Sequence, residues 1–218
     1  MSKNHYAVLG LGSFGAKLAV ALAKAGNTVL IVDIDQQRVD DLRDKVTEAV
    51  IADVSNEEVV RELDVRKFDA VILGMSSHFE DQVLALTLVK QEGARKVIVK
   101  ANTVIQERIL FRLGADEVIQ PEQDVAERLA RRLTMDNISD LFEFKGSAIA
   151  EVTVPESLSG HSLRQLDLRN RFNVTVLLLR KPGGSSETVM TPDTILEKGD
   201  QLTVFGSQKS IIELFREK

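Results

Sequence analysis

The hydrophobic pattern of residues 1–120 alternates between two periods. Short apolar runs rich in valine and isoleucine predict strands, and the longer segments between them carry apolar residues at helical spacing. The predicted strands span residues 6–10, 28–33, 48–52, 69–73, 96–99 and 117–119. The predicted helices span residues 14–25, 36–45, 56–63, 80–91, 104–113 and 123–134. This strict alternation indicates an α/β fold, a doubly wound parallel sheet with helices on both faces.

The pattern changes near residue 137, and the remaining residues predict a smaller α+β module. Its strands are expected at residues 148–154, 174–180, 188–190 and 201–204, and its helices at residues 163–171 and from Lys209 onward. A turn at residues 182–186 separates two of the strands. We therefore predict two domains, residues 1–136 and residues 137–218.

Composition changes this picture mainly by exclusion. The 218 residues include 28 Lys and Arg against 33 Asp and Glu, a net charge of −5, and no cysteine. An acidic chain without a basic cluster is a poor nucleic-acid binder, because phosphate contacts depend on clustered lysine and arginine. The longest stretch without an acidic or basic residue, residues 4–16, is too short for a membrane span, and its glycines interrupt any signal peptide. We therefore expect a cytoplasmic protein without disulfides.

The segment Gly10-Leu11-Gly12-Ser13-Phe14-Gly15 lies between the first predicted strand and the first predicted helix. In this G-x-G-x-x-G spacing the first glycine permits a tight turn, Gly12 admits a pyrophosphate close to the backbone, and Gly15 lets the helix pack on the strand. Asp33 ends the second predicted strand, where a carboxylate accepts ribose hydroxyls and repels a 2′-phosphate. The combination predicts a Rossmann-like nucleotide site that prefers NAD or an adenine nucleotide over NADP. The alternative is a glycine-rich turn without a ligand.

Other polar residues follow strands that end at the same edge of the predicted sheet. Asp53 and Val54 follow the third strand, where Asp53 either meets an adenine amino group or caps the next helix. Ser76 follows the fourth strand, near the phosphates or a second ribose. Lys100 closes the fifth strand and either contacts a phosphate or is solvated.

Few residues offer catalytic chemistry. Hydride transfer needs a proton-handling group beside the nicotinamide, and of the three histidines only His78 lies at the nucleotide edge, whereas His5 and His161 lie elsewhere. No Ser/His/Asp arrangement or metal-binding cluster has a recognisable spacing. We expect a binding protein rather than an enzyme. An NAD-dependent oxidoreductase and a soluble nucleotide or redox sensor remain the alternatives.

Taken together, these segments resemble a known family. Residues 7–15, 33–35, 52–53, 113–119 and 121–122 resemble the RCK (KTN) domain, and residues 158–163 and 196–202 resemble the RCK_C (TrkA-C) domain. The two-module order is similar to that of the cytosolic regulatory subunits of Ktr/Trk potassium transporters. Asp33-Ile34-Asp35 and Pro121-Glu122 favour the Ktr type.

The resemblance implies a dimer that assembles into a ring, typically an octamer, beneath a separate membrane potassium-translocating subunit. It implies regulation by ATP and ADP, with NAD(H) in some relatives. The nucleotide contacts it implies are Gly10, Gly12, Ser13, Phe14, Gly15, Asp33, Ile34, Asp35, Asp53, Val54, Ser76, Lys100 and Glu122.

Three of these positions carry specific implications. Lys100 matches the family's phosphate-facing lysine, and Glu122 is similar to the residue that holds Mg²⁺ or Ca²⁺ at the dimer interface, near the γ-phosphate. Ser13 departs from the family pattern, because many Ktr-type members have an arginine there that reaches the partner's nucleotide.

The resemblance also touches the second module, because some Ktr-type relatives bind cyclic di-AMP between paired C-terminal domains. Arg169 matches the arginine used there, whereas Thr175 stands where an asparagine is expected. These two residues are the candidate cyclic dinucleotide site. The alternative for Arg169 is a solvated charge at a helix end.

Overall fold

The computed structural model describes residues 3–75, 78–134, 137–144, 146–184, 187–188 and 190–215. The chain divides into two compact units, Met1–Gln123 and Asp124–Lys218. The helix Pro121–Thr134 begins in the first of these ranges and ends in the second. We keep the domain boundary after residue 136, just beyond that helix, as a proposal.

The first unit is a six-stranded sheet in which every strand pair is parallel. Its strands are β1 His5–Leu9, β2 Thr28–Asp33, β3 Glu48–Ile51, β4 Ala70–Leu73, β5 Val97–Lys100 and β6 Glu117–Ile119. The helices are α1 Ser13–Lys24, α2 Gln36–Asp40, α3 Glu57–Glu62, α4 Phe79–Gln91, α5 Val104–Arg112 and α6 Pro121–Thr134. The strand order is β3-β2-β1-β4-β5-β6, so the direction of winding reverses between β1 and β4. This is the Rossmann-like fold expected from the sequence.

Both faces of this sheet are covered, because alternate residues of each central strand enter different cores. Ala7 and Leu9 of β1 pack in a cluster with residues of α3, α4 and α5. Val8, between them, packs in a second cluster with Ala19 of α1 and Val39 of α2. Strands buried on both faces must be apolar throughout, which is why the short runs in the sequence show no polar alternation.

Helix starts in this unit follow their capping residues. The side chains of Asp35, Asn56 and Thr103 accept backbone hydrogen bonds at the starts of α2, α3 and α5. Helix α6 begins at Pro121, where a missing N–H costs nothing, so it starts two residues earlier than predicted.

One helix prediction in the first unit was too long. The segment predicted as a helix at residues 36–45 contains α2, which ends at Asp40, and a separate 3₁₀ turn at Arg43–Lys45. The buried residues Val39 and Leu42 keep the apolar spacing that suggested a continuous helix. The apolar pattern therefore records which residues face the core and does not record the break between them.

The second unit contains an antiparallel five-stranded sheet in the order β10-β9-β11-β8-β7. Its strands are β7 Ile138–Phe144, β8 Ser147–Thr153, β9 Thr175–Arg180, β10 Glu187–Thr188 and β11 Gln201–Gly206. Its helices are α7 Leu163–Leu166, α8 Leu168–Phe172 and α9 Gln208–Phe215. Phe215, Leu179 and Leu202 are among the side chains buried in its core. The small α+β module expected from the sequence is confirmed.

Two details of this unit differ from the prediction. The helix predicted at residues 163–171 is split into α7 and α8 by Asp167, which adopts a left-handed backbone conformation with φ 43°. Aspartate tolerates this conformation better than most residues. Strand β7 was not predicted, although it pairs with β8 along most of its length.

No helix among the described residues is long and apolar enough to cross a membrane.

Candidate functional site

A cleft opens where the carboxyl ends of β1, β2 and β4 meet. The described residues that line it are Gly10, Val32, Asp33, Ile34, Arg38, Ala52, Asp53, Val54, Met75, His78 and Asp81. The cleft lies at the reversal of the strand order, and β1 is hydrogen-bonded to β2 on one side and to β4 on the other. In open parallel sheets ligands bind at this position, because the loops after the two diverging strands leave space between them.

Glycines let the backbone pass through this edge. Gly10 has φ 93°, and a Cβ there would lie 2.6 Å from the backbone nitrogen of Met75. A Cβ on Gly15 would collide with the carbonyl oxygen of Gly10, and one on Gly74 would lie 2.7 Å from the same oxygen. The loops after β1 and β4 and the start of α1 therefore touch backbone to backbone. Gly74 belongs to this contact and was not singled out from the sequence.

Gly12 differs from these glycines because the fold itself does not require it. It is the N-cap of α1 with φ −62° and ψ −179°, a conformation that any residue adopts. A Cβ there would meet nothing closer than the Gly74 carbonyl oxygen at 4.0 Å. Gly12 has no side chain to cap the helix, and the first turn of α1 carries no acidic residue. The site therefore offers backbone N–H groups and a positive helix end to an anion.

Asp33 links the cleft to the glycine turn. Its side chain is 7% exposed, and Oδ2 accepts the Leu11 N–H at 2.6 Å. Oδ1 accepts the Asp35 N–H at 2.9 Å. Each carboxylate oxygen has more than one acceptor direction, so the side chain can still accept hydroxyl groups from the cleft.

Apolar and acidic residues line the wall beyond Asp33. Ile34 lines the cleft with a 69% exposed side chain, and Val54 lines it while 5% exposed. Asp53 accepts hydrogen bonds from the Ser55 hydroxyl at 2.7 Å and the Ser55 N–H at 2.9 Å, and these bonds lower the pKa of Asp53. Because Asn56 caps α3, the alternative in which Asp53 caps that helix is wrong.

Lys100 and Glu122 form an ion pair at the end of β5. The Lys100 Nζ lies 2.7 Å from the Glu122 Oε1, and the Lys100 side chain is only 11% exposed. The hydrogen bond from Lys100 lowers the pKa of Glu122. Glu122 is in the first turn of α6, and its side chain is 66% exposed. The pair can exchange partners when a phosphate or a cation arrives.

A buried glutamine connects the end of β5 with the cleft. Gln82 of α4 is 1% exposed, and its Nε2 donates to the carbonyl oxygens of Met75 and Lys100. Met75 lines the cleft, so one amide group holds a cleft residue and the lysine-bearing strand end together. Nothing in the sequence marked Gln82 as a functional residue, because it lies on the buried face of α4.

The other predicted site residues have separate positions. Ser13 is exposed at the start of α1, and Phe14 packs against the core beneath that helix. Asp35 caps α2. Ser76 lies outside the described residues.

The cyclic dinucleotide candidates lie in the second unit. Arg169 is exposed on α8, and Thr175 is half-buried at the start of β9, opposite Phe205 of β11. A cyclic dinucleotide site at these residues stays a prediction.

Sequence reasoning missed several cleft residues. Arg38 follows Asp33 by five positions, Met75 and Asp81 flank the loop after β4, and none was singled out. His78 was noted only as a catalytic candidate and lines the same cleft. The signal for Met75 and Asp81 was their place after a parallel strand, which also identified Ser76.

Among the described residues, no group of three or more histidine, cysteine or acidic side chains could hold a metal ion. Glu122 offers one carboxylate. Mg²⁺ is commonly held by one or two carboxylates together with phosphate oxygens of a bound nucleotide, so a single carboxylate fits a shared site rather than a cage built by one chain.

Comparisons with known proteins place this site in context. The TrkA-N domain model matches residues 6–121, and the TrkA-C domain model matches residues 149–218. Ktr system potassium uptake protein A of Vibrio alginolyticus is 34% identical over 209 residues, covering 94% of this chain and 94% of that protein. Ktr system potassium uptake protein C of Bacillus subtilis is 30% identical over 212 residues, covering 96% of this chain and 95% of that protein.

A solved structure shares the fold over the whole chain. The GsuK channel bound to NAD matches with a TM-score of 0.65 and 16% identity, covering 100% of this chain and 40% of that chain. The sequence matches extend over both modules, as the resemblance to RCK domains predicted. The chain therefore belongs to the family of proteins built from a TrkA-N and a TrkA-C domain, the RCK proteins, together with the Ktr system potassium uptake proteins.

Proposed function

We propose that this chain is a nucleotide-binding regulatory subunit of a potassium uptake transporter. The observation that carries the proposal is the cleft at the strand reversal, where the buried Asp33 carboxylate and the glycine turn lie side by side. A carboxylate in this position recognises the ribose hydroxyls, and the bare helix start beside it receives the phosphates. The potassium link comes from the Ktr system potassium uptake proteins that this chain resembles along nearly its full length.

The cleft has a suitable surface for an adenosine. The apolar side chains of Ile34 and Val54 offer the faces on which a base packs. Asp53 lines the same wall as an acceptor for the adenine amino group. The 69% exposure of Ile34 favours this role, because an apolar side chain at a cleft mouth gains free energy when a base covers it.

ATP and ADP are the nucleotides we propose, with NAD(H) as the alternative. Lys100 is the residue that favours nucleotides with several phosphates. Its ammonium group lies at the end of β5 and has one carboxylate partner, Glu122, which a phosphate could replace. A phosphate is a stronger partner for an ammonium group than one exposed carboxylate. The alternative rests on the similar GsuK channel, whose structure is described as bound to NAD.

A divalent cation, Mg²⁺ or Ca²⁺, fits beside Glu122. Its side chain is 66% exposed, so its carboxylate can reach an ion without entering the core. When bound, the cation would neutralise the charge of the terminal phosphates. We propose that a phosphate takes Lys100 as its partner and so frees the Glu122 carboxylate to hold the ion at a dimer interface.

The regulatory step we propose is a shift between two shapes of an assembled ring. The chain forms dimers that build the ring, octameric in our proposal, on the cytoplasmic side of a membrane subunit that translocates potassium. ATP and ADP differ in the phosphate that Lys100 and Glu122 would sense. A nucleotide can drive the ring only through its different affinities for the two shapes, so these two residues carry the response.

Identification of the nucleotide carried by the purified protein tests the proposal. The protein is denatured, and the released small molecules are identified by mass. The stripped protein is then titrated by calorimetry with ATP, ADP and NAD, with and without Mg²⁺ or Ca²⁺. We expect binding of an adenine nucleotide and a cation-dependent difference between ATP and ADP. Failure of all three nucleotides to bind would contradict the proposal, and equal affinities with equal ring shape would contradict its mechanism.

A further inference from the structure

Arg38 has two acidic partners at the ribose end of the cleft. Its Nη1 lies 3.7 Å from the Asp33 Oδ2, and its Nε lies 3.3 Å from the Asp35 Oδ2. It is the only lysine or arginine among the described residues that line the cleft, whose acidic members are Asp33, Asp53 and Asp81. The side chain is 54% exposed, so its position depends on these two carboxylates rather than on packing.

Local structure explains why Arg38 points back to Asp33. Asp35 caps α2, and its Oδ1 accepts the backbone N–H groups of Gln37 and Arg38. Arg38 therefore sits in the first turn of α2, directly beside the strand end that carries Asp33. The Asp35 side chain binds the Arg38 backbone through one oxygen and the Arg38 guanidinium through the other.

These contacts let Arg38 affect nucleotide binding in two opposite ways. The contact with the guanidinium holds the Asp33 carboxylate in place at the cleft, where a carboxylate accepts a free 2′-hydroxyl. A guanidinium is also the side chain that binds phosphate through two parallel hydrogen bonds. It cannot do so while two carboxylates hold it, because the 2′-phosphate would then approach the Asp33 charge.

We propose that Arg38 is the residue that determines specificity at the ribose. It holds the Asp33 carboxylate in place for a 2′-hydroxyl, and it becomes a 2′-phosphate-binding residue when an uncharged residue replaces Asp33. This inference rests on the proposed function, because it assigns the ribose to the Asp33 end of the cleft.

The test compares two ligands that differ only at the ribose 2′ position, 5′-AMP and adenosine 2′,5′-bisphosphate. Calorimetry is carried out on the full-length protein and on the variants Arg38→Gln, Asp33→Asn and the double variant. Arg43→Gln is the matched control, because Arg43 pairs with Asp40 at 3.2 Å and does not line the cleft.

We expect the unchanged protein to prefer 5′-AMP at least about tenfold, the ratio that corresponds to 1.4 kcal/mol. Arg38→Gln should lower the affinity for 5′-AMP by about three- to tenfold, and Arg43→Gln should leave that affinity unchanged. Asp33→Asn should bind the bisphosphate at least about tenfold more tightly than the unchanged protein does, and the double variant should lose that gain.

Several outcomes would overturn the inference. Arg38→Gln with unchanged 5′-AMP affinity would do so, and so would a bisphosphate gain that survives in the double variant. If Asp33→Asn does not fold, Asp33→Ser replaces it, because serine also removes the carboxylate that repels a 2′-phosphate and keeps an oxygen that accepts a backbone N–H. No gain of bisphosphate affinity in that variant would also overturn the inference. A wild-type protein that binds ATP, ADP or NAD but neither of these two ligands would also overturn the inference, whereas one that binds none of the five would show that the proposed function itself is wrong.

Discussion

The ammonium group of Lys100 lies 2.7 Å from a carboxylate oxygen of Glu122, and this pair joins the end of β5 to the start of α6. The two side chains differ in burial, because Lys100 is 11% exposed and Glu122 is 66% exposed. The lysine is therefore held in place while the carboxylate can move. A phosphate that approaches this corner meets a fixed cation and a movable anion.

Replacement of Lys100 by methionine should separate phosphate binding from adenosine binding. Loss of a charged hydrogen bond costs about 1.5–3 kcal/mol, so the affinity for ATP should fall about 10- to 100-fold while that for adenosine is unchanged. Calorimetric titrations with both ligands measure this. Lys96→Met is the control, because Lys96 forms the same kind of pair with Glu117, also at 2.7 Å, at the opposite end of β5. Equal losses of adenosine and ATP affinity would contradict the assignment.

The ion pair of Lys100 and Glu122 predicts how the stability of the folded protein depends on pH. Lys100 lowers the pKa of Glu122 below its ordinary value of 4.5 in the folded protein. Such a group stabilises the folded state above the unfolded pKa, and this stabilisation is lost as the pH falls through the folded pKa. We expect a carboxyl titration of Glu122 by NMR below pH 4.5, moving upward in Lys100→Met. A midpoint that does not move in the variant would mean that Lys100 is not the cause.

Two glycine variants should distinguish the needs of the fold from the needs of the ligand. A Cβ fits at Gly12 but collides with the Gly10 carbonyl oxygen at Gly15. Gly12→Ala should keep the melting temperature and lose nucleotide binding, since a methyl group would stand where the phosphates approach. Gly15→Ala should lower the free energy of unfolding by about 1–3 kcal/mol, the usual range for overpacking. Thermal unfolding and calorimetry measure both effects, and normal nucleotide binding by Gly12→Ala would contradict the phosphate assignment.

Gln82→Leu should destabilise the first unit by leaving two carbonyl oxygens without their donor. The cost is about 1–3 kcal/mol for each buried group left unpaired, and nucleotide affinity should fall with it because Met75 lines the cleft. Denaturant unfolding measures the loss. Gln91→Leu on the exposed end of the same helix is the control. If both leucine variants have the same stability, the two hydrogen bonds contribute nothing.

A buried carboxylate in the second unit predicts a loss of stability that is independent of the nucleotide site. Asp200 is 0% exposed, and its Oδ2 accepts the Lys181 Nζ and the Glu197 N–H, each at 2.9 Å. Lys181→Met should lower the free energy of unfolding by about 2–3 kcal/mol, less than for a wholly buried pair because Lys181 is partly exposed. Chemical unfolding measures the loss, and Lys209→Met, which alters an 86% exposed lysine, is the control. An unchanged midpoint in Lys181→Met would show that the pair does not stabilise the unit.

Much of the first unit could be predicted because its central strands are buried on both faces. Such strands appear as continuous apolar runs, and the glycine turn and Asp33 then follow from the order of the elements. The break at Asp167 could not be predicted, because a single left-handed residue costs little and leaves the apolar spacing unchanged. The end of α2 at Asp40 was hidden in the same way, because the buried residues Val39 and Leu42 keep the helical spacing. Strand β7 lies at the sheet edge with Phe142 and Phe144 exposed, which hides the usual alternation.

The candidate site was predicted where a backbone rule applies and missed where side chains meet through space. Asp33 ends one parallel strand and Asp53 follows another, so their place at one edge of the sheet follows from topology. Arg38 and Gln82 lie on helices, and only the folded chain brings them to the same edge. The lysine at the end of β5 was likewise predictable, whereas its ion pair with Glu122 was not predicted.

The contact of Gly10, Gly15 and Gly74 has a consequence for how nucleotides could be told apart. Backbone packed on backbone has no rotamers to change, so this floor of the cleft resists deformation when one nucleotide replaces another. The same rigid cradle can then hold nucleotides with tails of different length. The few charged groups at the edge of the cleft then distinguish one nucleotide from another. Substitutions in those groups alone would change the response to nucleotides and leave the fold intact.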